Sequence, residues 1–130
     1  MGWNTDFYGR FTLDRPLSAE HKAILDEFAD TEHHDALGKP GSDGKPPHWY
    51  CQWVPTEDGS GIEWDGNEKF YYFEEWMEYL ISHFIKPWGY VLNGSVRWIG
   101  ITFETEGVLS VLDNRLTAES QDLRDPTNPI

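Results

Sequence analysis

The segment Glu68–Ile85 constrains this chain more than any other. At 100° per residue, Phe70, Phe73, Met77, Leu80, Ile81 and Phe84 fall in one wedge of roughly 100°, the width of a helix face that packs on a core. Glu74, Glu75 and Glu78 gather on one flank, and Tyr72, Trp76, Tyr79 and His83 on the other. An ordinary surface helix has two faces; this one has three. The aromatic flank is either covered by the segment before His48, which makes it core, or exposed as a protein-binding hot spot or a shallow ligand pocket. Asp65 or Asn67 can cap the helix, and Pro87 followed by Gly89 ends it.

The remaining periodicities are shorter. In Trp3–Leu13, Phe7, Gly9, Phe11 and Leu13 alternate with Tyr8, Arg10 and Thr12, which reads as a strand. Ser18 then N-caps a helix with Glu20 in its first turn, a buried stripe of Ile24, Leu25 and Phe28, and an end near Thr31. Residues 32–47 are rich in Gly, Pro, Lys, Asp and His, and GKPGSDGKPP within them has no periodicity, the composition of a mobile surface loop. His48–Val54 resumes a strand, with Trp49, Cys51 and Trp53 on one face. Pro55–Gly61 is turn chemistry, and Ile62–Trp64 begins a partner strand. After the long helix come Tyr90–Leu92, Val96–Phe103 and Val108–Leu112, and Asn93-Gly94 reads as a bulge within one long strand rather than a hairpin turn. The order β-α-β-β-α-β-β predicts an α+β fold: one twisted, mainly antiparallel sheet with two helices packed on one face. Residues 1–119 are expected to form a single domain, and 120–130, with Pro126 and Pro129, a frayed tail.

Composition narrows the function classes. The 130 residues carry 23 Asp+Glu against ten Lys+Arg, a formal net charge of −13, so a nucleic-acid phosphate would approach a repelling surface. Twenty aromatic rings (seven Trp, six Tyr, seven Phe) give the chain the means to build a core despite that charge. A single Cys excludes an internal disulfide framework. The opening MGWNTDFYGR has neither the basic start nor the apolar run of a signal peptide, and no apolar run approaches the roughly 18 residues of a membrane span. The expectation is a cytoplasmic protein with no membrane partner.

Candidate chemistry is sparse. Between Glu57 and Glu78 stand eight carboxylates with Lys69 as the only base. Such crowding costs stability through repulsion, so the segment reads either as a solvated acidic face or as a surface that meets a cationic partner. Carboxylates held on a rigid scaffold can imitate phosphates. His33, His34, His48 and Cys51 match no tight zinc spacing, and no metal or cofactor is expected. Cys51 sits between Trp49 and Trp53, where an apolar setting raises a thiol pKa rather than activating it. Glu63 and Asp65 share a strand face beside a turn with nothing to perturb either acid, and no catalytic residue stands out.

Three stretches, GWNTDFYGRFTLDRPL, WYCQWVPTEDGSGIEWDGNEKFY and EYLISHFIKPWGYVLNGSVRWIG, resemble a family of short uncharacterised proteins encoded by bacteria and tailed bacteriophages. The likeness covers most of the chain outside residues 32–47 and the tail. The family segment after VRWIG is commonly acidic, whereas Gly100-Ile101-Thr102-Phe103 stands here. The resemblance implies a phage or mobile-element setting, hence host-cell cytoplasm, and carries no catalytic residues. The combined expectation is a non-enzymatic acidic domain that binds and inhibits a basic, nucleic-acid-handling host or defence protein, with DNA mimicry as the specific mechanism. Its contact residues would be Glu63, Asp65, Glu74, Glu75, Glu78, Tyr72, Trp76 and Tyr79. The competing expectations are a ligand-binding or enzymatic domain with an aromatic pocket near Trp49, Trp53, Tyr72 and Trp76, and a structural or assembly component.

Overall fold

In the computed structural model, residues 5–31, 50–67, 70, 72–100 and 105–122 are described. The order along the chain is β1 (Thr5–Leu13), α1 (Ala19–Ala29), β2 (Trp53–Pro55), β3 (Gly61–Trp64), α2 (Phe73–Leu80) with a π-helical turn Ile81–Ile85, β4 (Leu92–Gly100), β5 (Thr105–Leu112) and β6 (Arg115–Asp122). The strands form one six-stranded antiparallel sheet in the order β2-β3-β1-β4-β5-β6. The fold is α+β.

Strand alternation assigns the two faces of the sheet. Phe7, Phe11 and Leu13 of β1, Leu92, Val96 and Trp98 of β4, and Leu109 and Val111 of β5 are buried on one face. Both helices complete the core on that side. Phe73 of α2 packs on Phe7 (ring centroids 5.1 Å) and Trp98 (5.5 Å), and α1 contributes Leu25 and Ala29. Tyr8, Arg10, Arg97, Val108, Arg115 and Glu119 alternate onto the opposite, open face.

Ser18 caps α1 as expected, its Oγ accepting from the His21 amide at 3.1 Å. Ile24 does not belong to the buried stripe: it is 38% exposed, and Ala29 takes the buried position beside Leu25. The second helix starts at Phe73 rather than Glu68, because Tyr72 adopts φ +60° and a left-handed residue cannot continue a right-handed helix. Phe70 is nonetheless buried, delivered by the chain ahead of the helix. At the other end the Lys86 amide reaches back to Ile81 O, the i→i−5 bond of a π turn. Pro87 lacks an N–H and its ring crowds the carbonyl four residues earlier, which favours this widening. The underwound turn brings Ile85 fully into the core and leaves Phe84 half-buried, where an unbroken α-helical period would have chosen Phe84.

The strand expected over His48–Val54 is shorter, Trp53–Pro55, and Trp49 lies outside the described residues. β4 runs through Asn93-Gly94 without a break, as expected for one long strand. There is no bulge, because its register with β1 is continuous from Thr5↔Gly100 to Leu13↔Leu92. Glycine is required there by close approach. A Cβ on Gly94, at φ +133°, would stand 3.0 Å from the Arg10 carbonyl oxygen and 3.1 Å from Phe11 Cα. The largest departure is β6, absent from the sequence reading. Residues 120–122, expected within a frayed tail, pair with β5 at Thr105–Gly107.

Gly94→Ala is expected to destabilise the fold by about 2 kcal/mol or more, from strain at positive φ together with displacement of β1. Thermal unfolding followed by circular dichroism measures it.

Candidate functional site

The carboxylates singled out in the sequence do not form one surface. Glu63 follows Ile62, which pairs with buried Phe11, so Glu63 points to the open face of the sheet. Asp65 lies in the turn after β3, its Oδ1 accepting from the Asn67 amide at 2.9 Å. Only Glu74, Glu75 and Glu78 share an element, on the helical side of the molecule.

These three acids make a ridge along α2. Glu74–Glu78 is an i,i+4 pair and Glu75–Glu78 an i,i+3 pair, the spacings at which like charges oppose helix formation by about 0.2–0.5 kcal/mol each. Glu74 and Glu75 have a local compensation: they occupy the first turn, where the helix N-terminus favours negative charge and Tyr72 offers no side-chain cap. Glu78 has none. The ion pairs of the described residues are Asp14–Arg15, Lys22–Asp26 and Arg97–Glu106, so no described Lys or Arg neutralises the ridge. Glu74 is half-buried; that burial, followed by the charge of Glu75, raises its carboxyl above the usual range.

The aromatic flank divides. Trp76 is completely buried, which removes it from the expected contact residues. Among the described residues α1 meets this flank, its Phe28 packing edge-on against Trp76 at 5.7 Å. Tyr79 is half-buried between Phe28 (5.8 Å, interplanar 1°) and His83 (3.9 Å, 11°), and burial raises its phenol pKa. Tyr72 is 42% exposed at the N-terminal end of the acidic ridge. The three-faced pattern therefore has a packing cause: α2 is buried on one side by the sheet and on another by α1.

The expected aromatic pocket is occupied by its own walls. Trp53 and Trp76 are both core, and the Trp53 indole N–H donates to Phe73 O at 2.9 Å. A cleft of about 380 Å³ lies instead where α1 ends, lined by Ala29, Asp30, Tyr50, Gln52, Asp65 and Asn67. Of the expected residues only Asp65 reaches it. Exposed Asp30 at the C-cap of α1 was the missed signal, since an acid there opposes the helix dipole. Cys51 is buried, its thiol donating to Trp53 O at 3.6 Å, and burial pushes its pKa far above the ordinary thiol range. Among the described residues no three His, Cys, Asp or Glu side chains converge on a metal position; His33, His34 and His48 lie outside them. No helix among the described residues is long and apolar enough to cross a membrane. Comparison of this chain with protein-family models, curated proteins and solved structures finds no match in any of the three.

A carboxyl whose folded-state pKa is raised destabilises the fold when ionised; the penalty fades as pH falls through that raised pKa and is gone below the pKa of the unfolded chain. Glu74→Gln is therefore expected to raise the melting temperature slightly at pH 7, with the difference from wild type vanishing below about pH 4. Paired thermal melts across that range check the sign.

Proposed function

We propose that this chain is a protein-binding domain that docks a cationic protein surface on the acidic ridge of α2, with Glu74, Glu75 and Glu78 as the charged contacts and Tyr72 as the adjoining ring. The observation that carries this reading is the pairing of Glu74 and Glu75. A half-buried carboxylate beside a like charge, with no described cation to neutralise it, is strained in the free protein, and an arriving Lys or Arg relieves that strain.

The class of partner follows from spacing. Glu74 and Glu78 rise about 6 Å apart along a rigid helix, a fixed array of negative charge of the kind that a phosphate-binding groove accepts. The partner is thus a basic, nucleic-acid-handling protein whose groove is occluded by DNA mimicry. In a phage or mobile-element setting, which the resemblance of the three sequence stretches implies, such a domain would inhibit a host or defence protein in the host cytoplasm. The long-range field of a chain at −13 sets the encounter rate and its salt dependence, whereas the contacts on α2 set the residence time.

Competition tests the proposal: the chain is titrated into a complex of total histone with a fluorescein-labelled DNA duplex, and anisotropy reports displaced DNA. Displacement is expected at ~50 mM salt, with a loss of at least ~tenfold in potency at ~500 mM. The triple substitution Glu74→Gln, Glu75→Gln, Glu78→Gln is expected to weaken displacement at low salt by about tenfold while leaving the circular dichroism spectrum intact. Equal potency of the triple variant and the wild type refutes the ridge as the docking site.

A further inference from the structure

The two edges of the sheet differ in kind. β2 is three residues long and ends in Pro55, a strand blunted against further pairing. β6, at the other edge, has eight residues and no proline. It keeps unbroken register with β5 from Leu112↔Arg115 to Thr105↔Asp122, so no bulge twists it away. Asp113 and Asn114, at φ +49° and +68°, form the two-residue turn that joins them. Leu112 and Arg115 flank that turn and exchange both hydrogen bonds. Alternation then turns the backbone N–H and C=O of Leu116, Ala118, Ser120 and Asp122 away from β5. The side chains of Arg115, Thr117, Ala118 and Glu119 are exposed. Ala118 is exposed even though it shares the helix-side face with its fully buried partner Leu109; α2 approaches β6 and Leu116 packs against the core, but Ala118 stays uncovered at this edge.

We propose that β6 is a self-association edge, through which two copies of this chain pair antiparallel about a two-fold axis at Ala118. A two-fold axis normal to a sheet keeps each face on its own side, so paired residues must have the same parity. Centring on Ala118 forms about six backbone hydrogen bonds between outward-facing groups. It also sets Thr117 opposite the partner's Glu119 and brings Arg115 diagonal to that same carboxylate, within reach of a long side chain. Arg115 and Glu119 belong to none of the ion pairs of the described residues. Centring on Glu119 would set that acid against itself, with its N–H already engaged by β5. The self-complementary charge spacing is what selects a second copy over an unrelated strand.

Sedimentation equilibrium of the full chain tests this independently of the α2 ridge, in ~300 mM salt to screen repulsion between two chains of −13. A concentration-dependent monomer–dimer equilibrium is expected. Ala118→Pro removes an outward N–H and spares the ladder to β5, and is expected to weaken self-association at least ~tenfold with an unchanged circular dichroism spectrum. Ala118→Lys places like charges across the axis without altering the backbone, and is expected to do the same if the proline variant unfolds. Ala118→Cys is expected to form a covalent dimer under mild oxidation, since opposed Cα atoms of a hydrogen-bonded pair lie about 5.5 Å apart and native Cys51 is buried. A chain that stays monomeric up to ~1 mM, or a dimer unmoved by Ala118→Lys, overturns the proposal.

Discussion

Phe7 is the contact on which the rest of the molecule depends. Its ring meets Trp53 of β2, Trp64 of β3, Phe70 ahead of the helix and Phe73 in the first turn of α2, all at centroid distances of 5.1–5.7 Å. Each such pair contributes about 0.5–1.5 kcal/mol beyond the area it buries. The geometric consequence matters as much as the energy. A single residue in a central strand locks two neighbouring strands and the start of α2 to one point. The Trp53 N–H then holds the Phe73 carbonyl, so the acidic first turn of α2 is seated from below.

That seating explains how an acidic helix holds with no counter-ion among the described residues. α2 is trapped between the sheet and α1, and its stability comes from Trp76, Met77 and Leu80, none more than 2% exposed, rather than from its surface. The carboxylates on the remaining rim therefore need not contribute to folding. Their mutual repulsion, a few tenths of a kcal/mol per pair, is small beside the several kcal/mol that burying three such side chains supplies. A surface relieved of folding duty is free to serve recognition.

The same one-sided arrangement leaves the other half of the molecule open. With both helices on one face, Tyr8, Val108 and Leu112 stay exposed on the other, together with Arg10, Arg97 and Arg115. Those three arginines share the open face with Glu63, Glu106 and Glu119, and Arg97 pairs with Glu106 at 3.0 Å, so charge on that face is mixed.

The α+β class, β1, the Ser18 cap and the apolar face of α2 were legible because each is written in a local period or a local hydrogen bond. β6 was not, because in RLTAESQD only Leu116 and Ala118 alternate with polar residues, too short a pattern to mark a strand, and its pairing comes from the Asp113-Asn114 turn. Trp76 was misplaced for a related reason: periodicity groups residues by angle but does not say which neighbour covers each angle, and here α1 covers the flank. By itself the sequence determined which residues can share a face, since 3.6-residue and two-residue repeats follow from backbone geometry alone. Only the tertiary structure decided which of those faces meet solvent. It split the acidic cluster between the open sheet face, the turn after β3 and the helical layer, because burial and charge proximity depend on contacts between segments distant in the chain.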